Sequence, residues 1–222
     1  MSDQFFWYVT RSSALVSWLG AALAILTGLI TSSRLLGRRP TIPWLVDLHR
    51  GFAGLSVVFL GIHLLSLYLD GFVQFGLAEL FVPWVATVPG LSRASIAYGV
   101  IAFWLIVVVQ ASSLVRDRLP AEVWRTLHLL SFGSLGFGSL HAIQTGSDID
   151  NPIVIAIAAS TMTAIALAAA VRVIRLRTGR TRQVAPQPAA PRPAAPRPVA
   201  APAAPRPAPR PAPPRPMHRQ QR

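Results

Sequence analysis

Five apolar runs, each about as long as a membrane is thick, constrain the fold of this chain more than any other feature. A helix that rises about 1.5 Å per residue needs roughly 20 apolar residues to cross a hydrocarbon core of about 30 Å. The runs lie at about 13–36, 48–69, 95–115, 123–143 and 152–174. Lipid cannot satisfy unpaired backbone groups, and the runs are too long and too uniform for barrel strands. We therefore predict an all-α integral membrane bundle of five transmembrane helices.

The chain divides into three predicted parts. Residues 1–12 form a short N-terminal segment outside the cytoplasm, residues 13–176 form the membrane domain, and residues 177–222 form a disordered tail. The tail consists mainly of alanine, proline and arginine in irregular repeats, a composition that buries no core and favours extended polyproline conformations. The start of the chain lacks the basic segment and the small-residue cleavage site of a signal peptide, so we expect the first helix to be retained.

The distribution of arginine predicts how the helices are oriented. The net charge is +13, which resembles that of a nucleic-acid-binding protein, but arginines crowd into alternate loops and the tail. Cytoplasmic loops of membrane proteins are enriched in positive residues. We therefore predict a multi-pass protein of the plasma (cell) membrane with its N-terminus outside and its C-terminus in the cytoplasm. Membrane lipid is an expected partner of this chain, and nucleic acid is not.

The loop at 71–93 is apolar and aromatic, and it is too broken to span a membrane. We predict that it caps the outer side of the bundle, with Phe81 and Trp84 at headgroup depth, or else forms an ordinary loop.

The absence of cysteine removes several kinds of chemistry. The chain cannot form Cys-ligated iron–sulfur clusters, thioether-linked haem, disulfides or a thiol nucleophile. Any metal must be held by histidine or oxygen. The sequence also shows no hydrolytic triad, phosphate-binding loop or acid/base carboxylate pair, and we assign no catalytic residue.

Four of the five histidines lie in two of the apolar runs: His49 and His63 in the second, His128 and His141 in the fourth. Ionisable groups inside a membrane are costly and are functional by default. A spacing of 14 residues returns to within about 40° of the same helix face, with about 21 Å along the axis, and a spacing of 13 covers about 19.5 Å. The second and fourth helices run in the same direction, so the histidines match in depth. His49 is level with His128 near the cytoplasm, and His63 with His141 near the outer side.

These matched pairs suit the axial ligands of two b-type haems. A low-spin haem takes one histidine from each of two facing helices, and bundle interiors hold such cofactors. A lone intramembrane histidine is more often a structural hydrogen-bonder or a proton relay, but equal depths in two helices favour bis-histidine haem. The four histidines are therefore our predicted metal ligands and cofactor-binding residues.

The spacing of 13 conflicts with an ideal helix, because it rotates His141 by about 220° from His128. The intervening segment, residues 131–139, contains three glycines that predict a kink or a local change of winding. Glycines in both histidine-bearing helices would either let a flat porphyrin approach or pack helices together.

Two arginines complete the predicted site. Arg50 and Arg125 each lie within three residues of a cytoplasmic-side histidine. They would either pair with haem propionates as bidentate donors or serve as positive-inside charge.

The stretches LHRGFAGLSVVFLGIHLLSLYLD and VWRTLHLLSFGSLGFGSLHAIQTG resemble the ferric reductase-like transmembrane domain shared by ferric-chelate reductases and NADPH oxidases. The resemblance covers about residues 5–175, and the spacings of 14 and 13 are both traits of that family. It implies two haems b, bound by His49 with His128 and by His63 with His141. It also implies that electrons pass from a cytoplasmic flavin to an outer acceptor.

The sequence departs from that family in two respects, because it has five helices rather than six and lacks a flavin or nicotinamide site. The expected electron donor is therefore a separate flavoprotein reductase or quinol, and the acceptor is extracytoplasmic. The alternatives are a non-enzymatic haem sensor or membrane-anchor subunit, and a proton-conducting bundle. A proton conductor predicts carboxylates beside the histidines, and the helices contain none near the midplane.

Overall fold

The computed structural model describes residues 3–33, 43–71, 73 and 75–184. Its helices are α1 (Asp3–Ser33), α2 (Pro43–Leu69), α3 (Leu77–Phe81), α4 (Arg93–Leu114), α5 (Ala121–Thr145) and α6 (Pro152–Val184), with a 3-10 turn at Arg116–Arg118. No strand occurs in the described ranges, and this confirms the all-α prediction for them. One compact unit contains α1 to α5 and most of α6, and it ends at Arg182.

Four of the described helices are long and apolar enough to cross a membrane: α1, α2, α4 and α6. This composition is compatible with a multi-pass membrane protein. The helix α5 has 25 residues, which is sufficient length, but its glycines, serines and histidines make it less apolar than the others. The fifth membrane span therefore stays a prediction.

Two helices extend beyond the predicted spans. The helix α1 begins at Asp3 rather than at residue 13, and α6 continues to Val184 rather than ending near residue 174. Residues 3–12 contain neither proline nor glycine, so nothing in them stops the helix. Residues 175–184 also lack proline, and the first proline of the tail follows at Pro186. The disordered tail was predicted from residue 177, but residues 177–184 belong to α6. The rest of the predicted tail, from residue 185, lies outside the described residues.

The change of winding predicted in the glycine-rich part of α5 is absent, because α5 is one continuous α-helix. Two of its glycines pack against α4 instead. A Cβ atom on Gly133 would lie 3.4 Å from Leu105 Cδ1, and one on Gly138 would lie 3.8 Å from Ala102 Cβ. Small residues that allow close helix approach are a common means of association in lipid. The packing interpretation is therefore correct for these two positions.

Two antiparallel hairpins form most of the bundle: α1 packs along α2, and α4 packs along α5. In the first hairpin the Ser17 hydroxyl donates to the Ser56 carbonyl at 2.9 Å. In the second, the Ser134 hydroxyl donates to the Ala102 carbonyl at 3.0 Å. Hydrophobic burial contributes little between helices in lipid, so such bonds, each contributing about 0.6 kcal/mol, and close packing hold the hairpins together.

The close packing of the first hairpin depends on Gly20. A Cβ atom there would lie 3.1 Å from the Phe52 carbonyl oxygen and 3.2 Å from the Ser56 nitrogen. Because both neighbours are backbone atoms, they cannot rotate away. Any side chain at this position would push α1 away from α2.

The two hairpins meet through α1. The Trp18 indole donates to the Ser139 hydroxyl of α5 at 2.9 Å. A buried apolar cluster joins three helices, with Ala22, Ile25 and Leu29 from α1, Leu135 from α5, and Ile165 and Ala168 from α6. By contrast, α2 and α5 make no extended contact with each other. The two histidine-bearing helices belong to different hairpins.

The segment between α2 and α4 packs back onto the bundle. The Phe81 and Phe103 ring centroids are 5.4 Å apart, with the rings tilted by 58°. The Trp104 indole donates to the Phe81 carbonyl at 2.8 Å. Trp84 is 57% exposed and has a positive φ of 64°. Most of its indole is thus free to contact surroundings outside the chain, whereas its depth in a membrane stays a prediction.

Candidate metal centre

Three of the four histidines of α2 and α5 share one local arrangement. Each places its ring Nδ1 at hydrogen-bond distance from a main-chain carbonyl of the neighbouring helix in its own hairpin. The distances are 2.8 Å from His49 to Ala24, 3.0 Å from His63 to Thr10, and 2.8 Å from His141 to Ser95. A carbonyl only accepts, so Nδ1 carries the proton and donates. The lone pair then lies on Nε2, which is the form of histidine that binds a metal.

Two glycines provide the space for these bonds. A Cβ atom on Gly28 would lie 3.3 Å from the His49 ring, and one on Gly99 would lie 2.8 Å from His141 Nδ1. Each glycine stands four residues after the carbonyl that accepts the bond, Ala24 or Ser95. Because a helix places residues i and i+4 on one face, a side chain there would cover the carbonyl that the histidine needs.

The spacing of 14 in α2 follows from the register of the first hairpin. The contacts His63 with Thr10, Ser56 with Ser17, and His49 with Ala24 recur every seven residues on both helices. A seam with this repeat keeps one face of each helix towards the other. Both histidines of α2 therefore lie fully on the seam, two heptads apart.

The second hairpin has the same register but departs from it at one end. His141 contacts Ser95, and seven residues further Ser134 contacts Ala102. The next step of seven is Leu127 opposite Val109, so His128 lies one residue off the seam. The offset corresponds to about 100° of rotation. The spacing of 13 is therefore a displacement of one histidine, and it requires no break in the helix.

His128 consequently lacks the bond that the other three histidines make. Its Nδ1 is buried and has no hydrogen-bond partner among the described residues. The Val109 carbonyl, which stands at the corresponding level of α4, accepts from the Ser112 and Ser113 hydroxyls of its own helix.

An aromatic side chain contacts the displaced histidine instead. The Trp124 ring stacks on His128 with a centroid separation of 4.9 Å and an interplanar angle of 27°. The Arg116 guanidinium lies over the Trp124 ring, 4.6 Å from its centroid. The Trp124 Nε1 is also buried and without a partner among the described residues. This arrangement restrains the plane of the His128 ring, while its Nδ1 has no partner among the described residues.

One of the two predicted histidine pairs comes together between α2 and α5. The His49 and His128 ring centroids are 6.0 Å apart, with the rings tilted by 57°. Two imidazoles that each bind one metal ion at about 2 Å through a nitrogen place their centroids roughly 6 Å apart. The pairing of His63 with His141 stays a prediction. We call these pairs the His49 level and the His63 level.

The donor set is suited to a metal that brings further ligands with it. In the described part of the chain, no group of three or more histidine, cysteine, aspartate or glutamate side chains converges on one point. A bare ion held by the protein alone needs more donors than two imidazoles supply. Haem iron needs only its axial ligands, because the porphyrin supplies the other four.

The two predicted propionate partners, Arg50 and Arg125, lie within three residues of the His49-level histidines in sequence, and both are exposed. The Arg125 Nε donates to the Ala121 carbonyl of its own helix at 2.9 Å. Their role in binding a cofactor stays a prediction.

The glycines of α2 do not pack against any described part of the chain. A Cβ atom on Gly51, Gly54 or Gly61 would meet no atom within 4 Å. Gly54 and Gly61 are seven residues apart, on the side of α2 roughly opposite the histidine seam. The helix-packing interpretation therefore finds no partner for these glycines within the described chain.

An ion pair secures the His63 level from the flank. Arg11, next to the Thr10 carbonyl that His63 uses, forms a bidentate pair with Asp148 in the loop between α5 and α6. The guanidinium also lies 4.7 Å over the Trp7 ring. Hydrogen bonds from Arg11 hold the pKa of Asp148 below its usual value. The pair joins the start of α1 to the end of α5.

Sequence reasoning found the four histidines but missed the groups that orient them. The carbonyls of Thr10, Ala24 and Ser95 carry no signal, since every residue has one. Gly28 and Gly99 belonged to a recognisable pattern only once the register was known. Trp124 was detectable, because it precedes His128 by four residues on one helix, a spacing at which side chains meet.

Comparison with known proteins gives no family for this chain. No family model, no curated protein and no solved structure matches it. The function of this chain is therefore inferred from its residues and their geometry.

Proposed function

We propose that this chain is a membrane electron-transfer protein that holds two b-type haems, one at the His49 level and one at the His63 level, as in ferric reductase-like domains. The observation that carries the proposal is the set of Nδ1–carbonyl bonds. Three membrane histidines are fixed in the tautomer that offers Nε2 to a metal. The ring centroid of one of them, His49, lies 6.0 Å from that of the fourth, His128, which is the separation expected of two imidazoles that share a metal ion.

The proposal makes α5 the fifth membrane span. The helix runs along α4, which is itself long and apolar enough to span, and it is bonded to α1 through Ser139 and Trp18. Ser134, Ser139 and His141 of α5 bond to neighbouring helices, so these groups cost less in lipid than the composition of the helix suggests. With five spans and the arginine-rich loops in the cytoplasm, the His49 level lies near the cytoplasm and the His63 level near the outside.

Bound haem supplies an iron that alternates between ferric and ferrous states, and so accepts one electron at a time. The protein's part is to ligate through Nε2, to orient the rings and to exclude water. Neither α2 between its histidines nor α5 between its own contains a carboxylate. The central serines of both hairpins donate to carbonyls or accept within the seam. The arrangement thus provides electron carriers at two depths without a chain of proton-accepting groups between them.

The direction of transfer follows from the orientation. A separate flavoprotein or quinol delivers electrons at the cytoplasmic His49 level, and an extracytoplasmic acceptor, such as a ferric chelate, takes them at the His63 level. A flavin or nicotinamide need not bind to this chain.

The cofactor is tested on the full chain, expressed with sufficient haem and purified in detergent. Haem per chain and a reduced-minus-oxidised spectrum should show two low-spin b haems. His63→Ala should leave one, whereas His218→Ala, in the tail, should leave both. A preparation without a Soret band would contradict the proposal, and a His63→Ala variant that keeps both haems would contradict the ligand assignment.

Transfer across the membrane is tested in lipid vesicles that enclose ferricyanide, with dithionite added outside. Neither reagent crosses the bilayer readily, so rapid reduction of the enclosed ferricyanide requires a path through the protein. We expect it with the haem-loaded wild type and not with His63→Ala or empty vesicles. Equal rates in all three would leave haem binding without electron transfer, as in a sensor or anchor subunit.

A further inference from the structure

The four histidines are not equivalent, and the difference concerns only one of them. His49, His63 and His141 each donate from Nδ1 to a main-chain carbonyl at 2.8–3.0 Å. His128 has no such bond from its Nδ1 in the described chain, since it lies one residue off the seam. What the His128 ring contacts instead is Trp124, at 4.9 Å and nearly parallel.

The one-residue displacement of His128 from the seam also explains its stack on Trp124. Trp124 precedes His128 by four residues on α5, and side chains at that spacing lie one above the other on a helix face. Arg116, from the turn that leads into α5, covers the indole. The ring is thus held from its own helix and the adjoining turn, whereas the other three rings are held from the opposite helix of the hairpin.

We propose that Trp124 is the positioning residue of His128, and that the His49/His128 pair is the one whose axial position opens to an added ligand. The inference rests on the proposed function, since it requires haem at both levels. His128 is the member of the pair that leaves, because His49 retains its bond to Ala24.

Hydrogen bonding and stacking restrain a ligand differently. A donor bond from Nδ1 fixes the tautomer, sets the direction of Nε2 and makes the ring a stronger ligand, and loss of such a partner weakens metal binding by about 10–100-fold. A stacked indole restrains the ring plane but does not choose between the two nitrogens. The bond from His128 to iron is therefore the weakest of the four.

Carbon monoxide is the probe for an open axial position. The dithionite-reduced full chain is titrated with carbon monoxide under anaerobic conditions, and the Soret band is followed. We expect half of the haem to form the complex. A variant with His63→Ala and His141→Ala, which keeps only the His49-level haem, should bind carbon monoxide fully.

Substitutions of Trp124 test the positioning role. Trp124→Ala should increase the carbon monoxide affinity of that haem about tenfold or more, since the ring then loses its only described contact of this kind. It should also shift one of the two low-spin signals in the electron paramagnetic resonance spectrum of the ferric protein. Trp124→Phe retains an aromatic face and should resemble the wild type. Trp104→Phe is the matched control, because Trp104 contacts Phe81 rather than a histidine.

The possible results separate the two proposals. Two bound haems that both react with carbon monoxide, or that both fail to react, overturn this inference alone. So does a Trp124→Ala variant that matches the wild type in affinity and in both resonance signals. A chain that binds no haem overturns the proposed function and this inference with it.

Discussion

Both helical hairpins hold histidine rings against a neighbouring helix, but only the α1/α2 hairpin bonds both of its histidines to that helix. In the α1/α2 hairpin, three contacts recur at steps of seven residues, and both histidines lie on the seam. In the α4/α5 hairpin, two contacts keep the same step, and the second histidine falls one residue beside it. The histidine that leaves the seam is also the one whose Nδ1 has no described partner.

One register explains both histidine spacings. A spacing of 14 is two heptads and keeps both rings towards the flanking helix. A spacing of 13 keeps one ring there and turns the other by about 100°, at nearly unchanged depth. The offset exchanges a backbone hydrogen bond at His128 for a stack on Trp124 and a position 6.0 Å from His49.

The largest effect is expected when the histidine at position 128 is moved onto the seam. The double substitution Leu127→His with His128→Leu restores a spacing of 14 and turns the ring by about 100° away from its present direction. We expect the loss of the His49-level haem, so that haem per chain falls from two to one. A circular dichroism spectrum should show that the helices remain.

The contrary result would be informative about the register. If the double variant kept two haems, the direction set by the seam would not decide ligation. Leu127→Ala alone is the control, and it should keep both haems.

The next largest effect is expected at Gly28 and Gly99, which lie beside the His49 and His141 rings. Gly99→Ala places a Cβ atom 2.8 Å from His141 Nδ1, whereas Gly28→Ala places one 3.3 Å from the His49 ring. Overpacking of this kind costs about 1–3 kcal/mol, and it is felt more at the shorter contact. We expect Gly99→Ala to lower haem occupancy at the His63 level, with a smaller loss at the His49 level in Gly28→Ala.

Haem content and thermal unfolding in detergent would measure both effects. Gly61→Ala is the matched control, because its Cβ atom meets nothing within 4 Å. Equal behaviour of all three variants would mean that the glycines do not shape the ring contacts.

The smallest expected effect concerns the ion pair that flanks the α1/α2 hairpin. The pKa of Asp148 is lowered by Arg11. A lowered carboxyl pKa stabilises the fold above the ordinary pKa of the group, and this contribution disappears as the pH falls through the lowered value. Asp148→Asn should therefore reduce the melting temperature slightly near neutral pH, with no difference from the wild type at strongly acidic pH.

The pair is partly exposed, with 31% and 13% of the two side chains accessible, and solvent screens it. Melting curves across a pH series would measure the effect. The same decrease for Asp148→Asn at every pH would exclude the charge of Asp148 as its cause, and Asp150→Asn provides a control in the same loop.

Much of the fold was predictable because lipid leaves few choices. Apolar length alone located α2, α4 and most of α1 and α6, since a helix is the one local structure that satisfies its own backbone. The full extents of α1 and α6 were not predictable from apolarity, because the polar ends of these helices at Asp3 and Val184 resemble loop composition. The status of α5 as a membrane span is the least determined by composition, since its polar residues serve the interior.

The sequence by itself determined that four histidines lie at two depths in two long helices, because depth depends only on residue count and a fixed rise. It also located the anomaly, a spacing that cannot keep both rings of α5 on one face. Only the tertiary structure decided which way each ring turns. The direction of His128 depends on the register between α4 and α5 and on the Trp124 stack. These are contacts between residues whose proximity no local pattern specifies, so they exist only once the hairpins have packed.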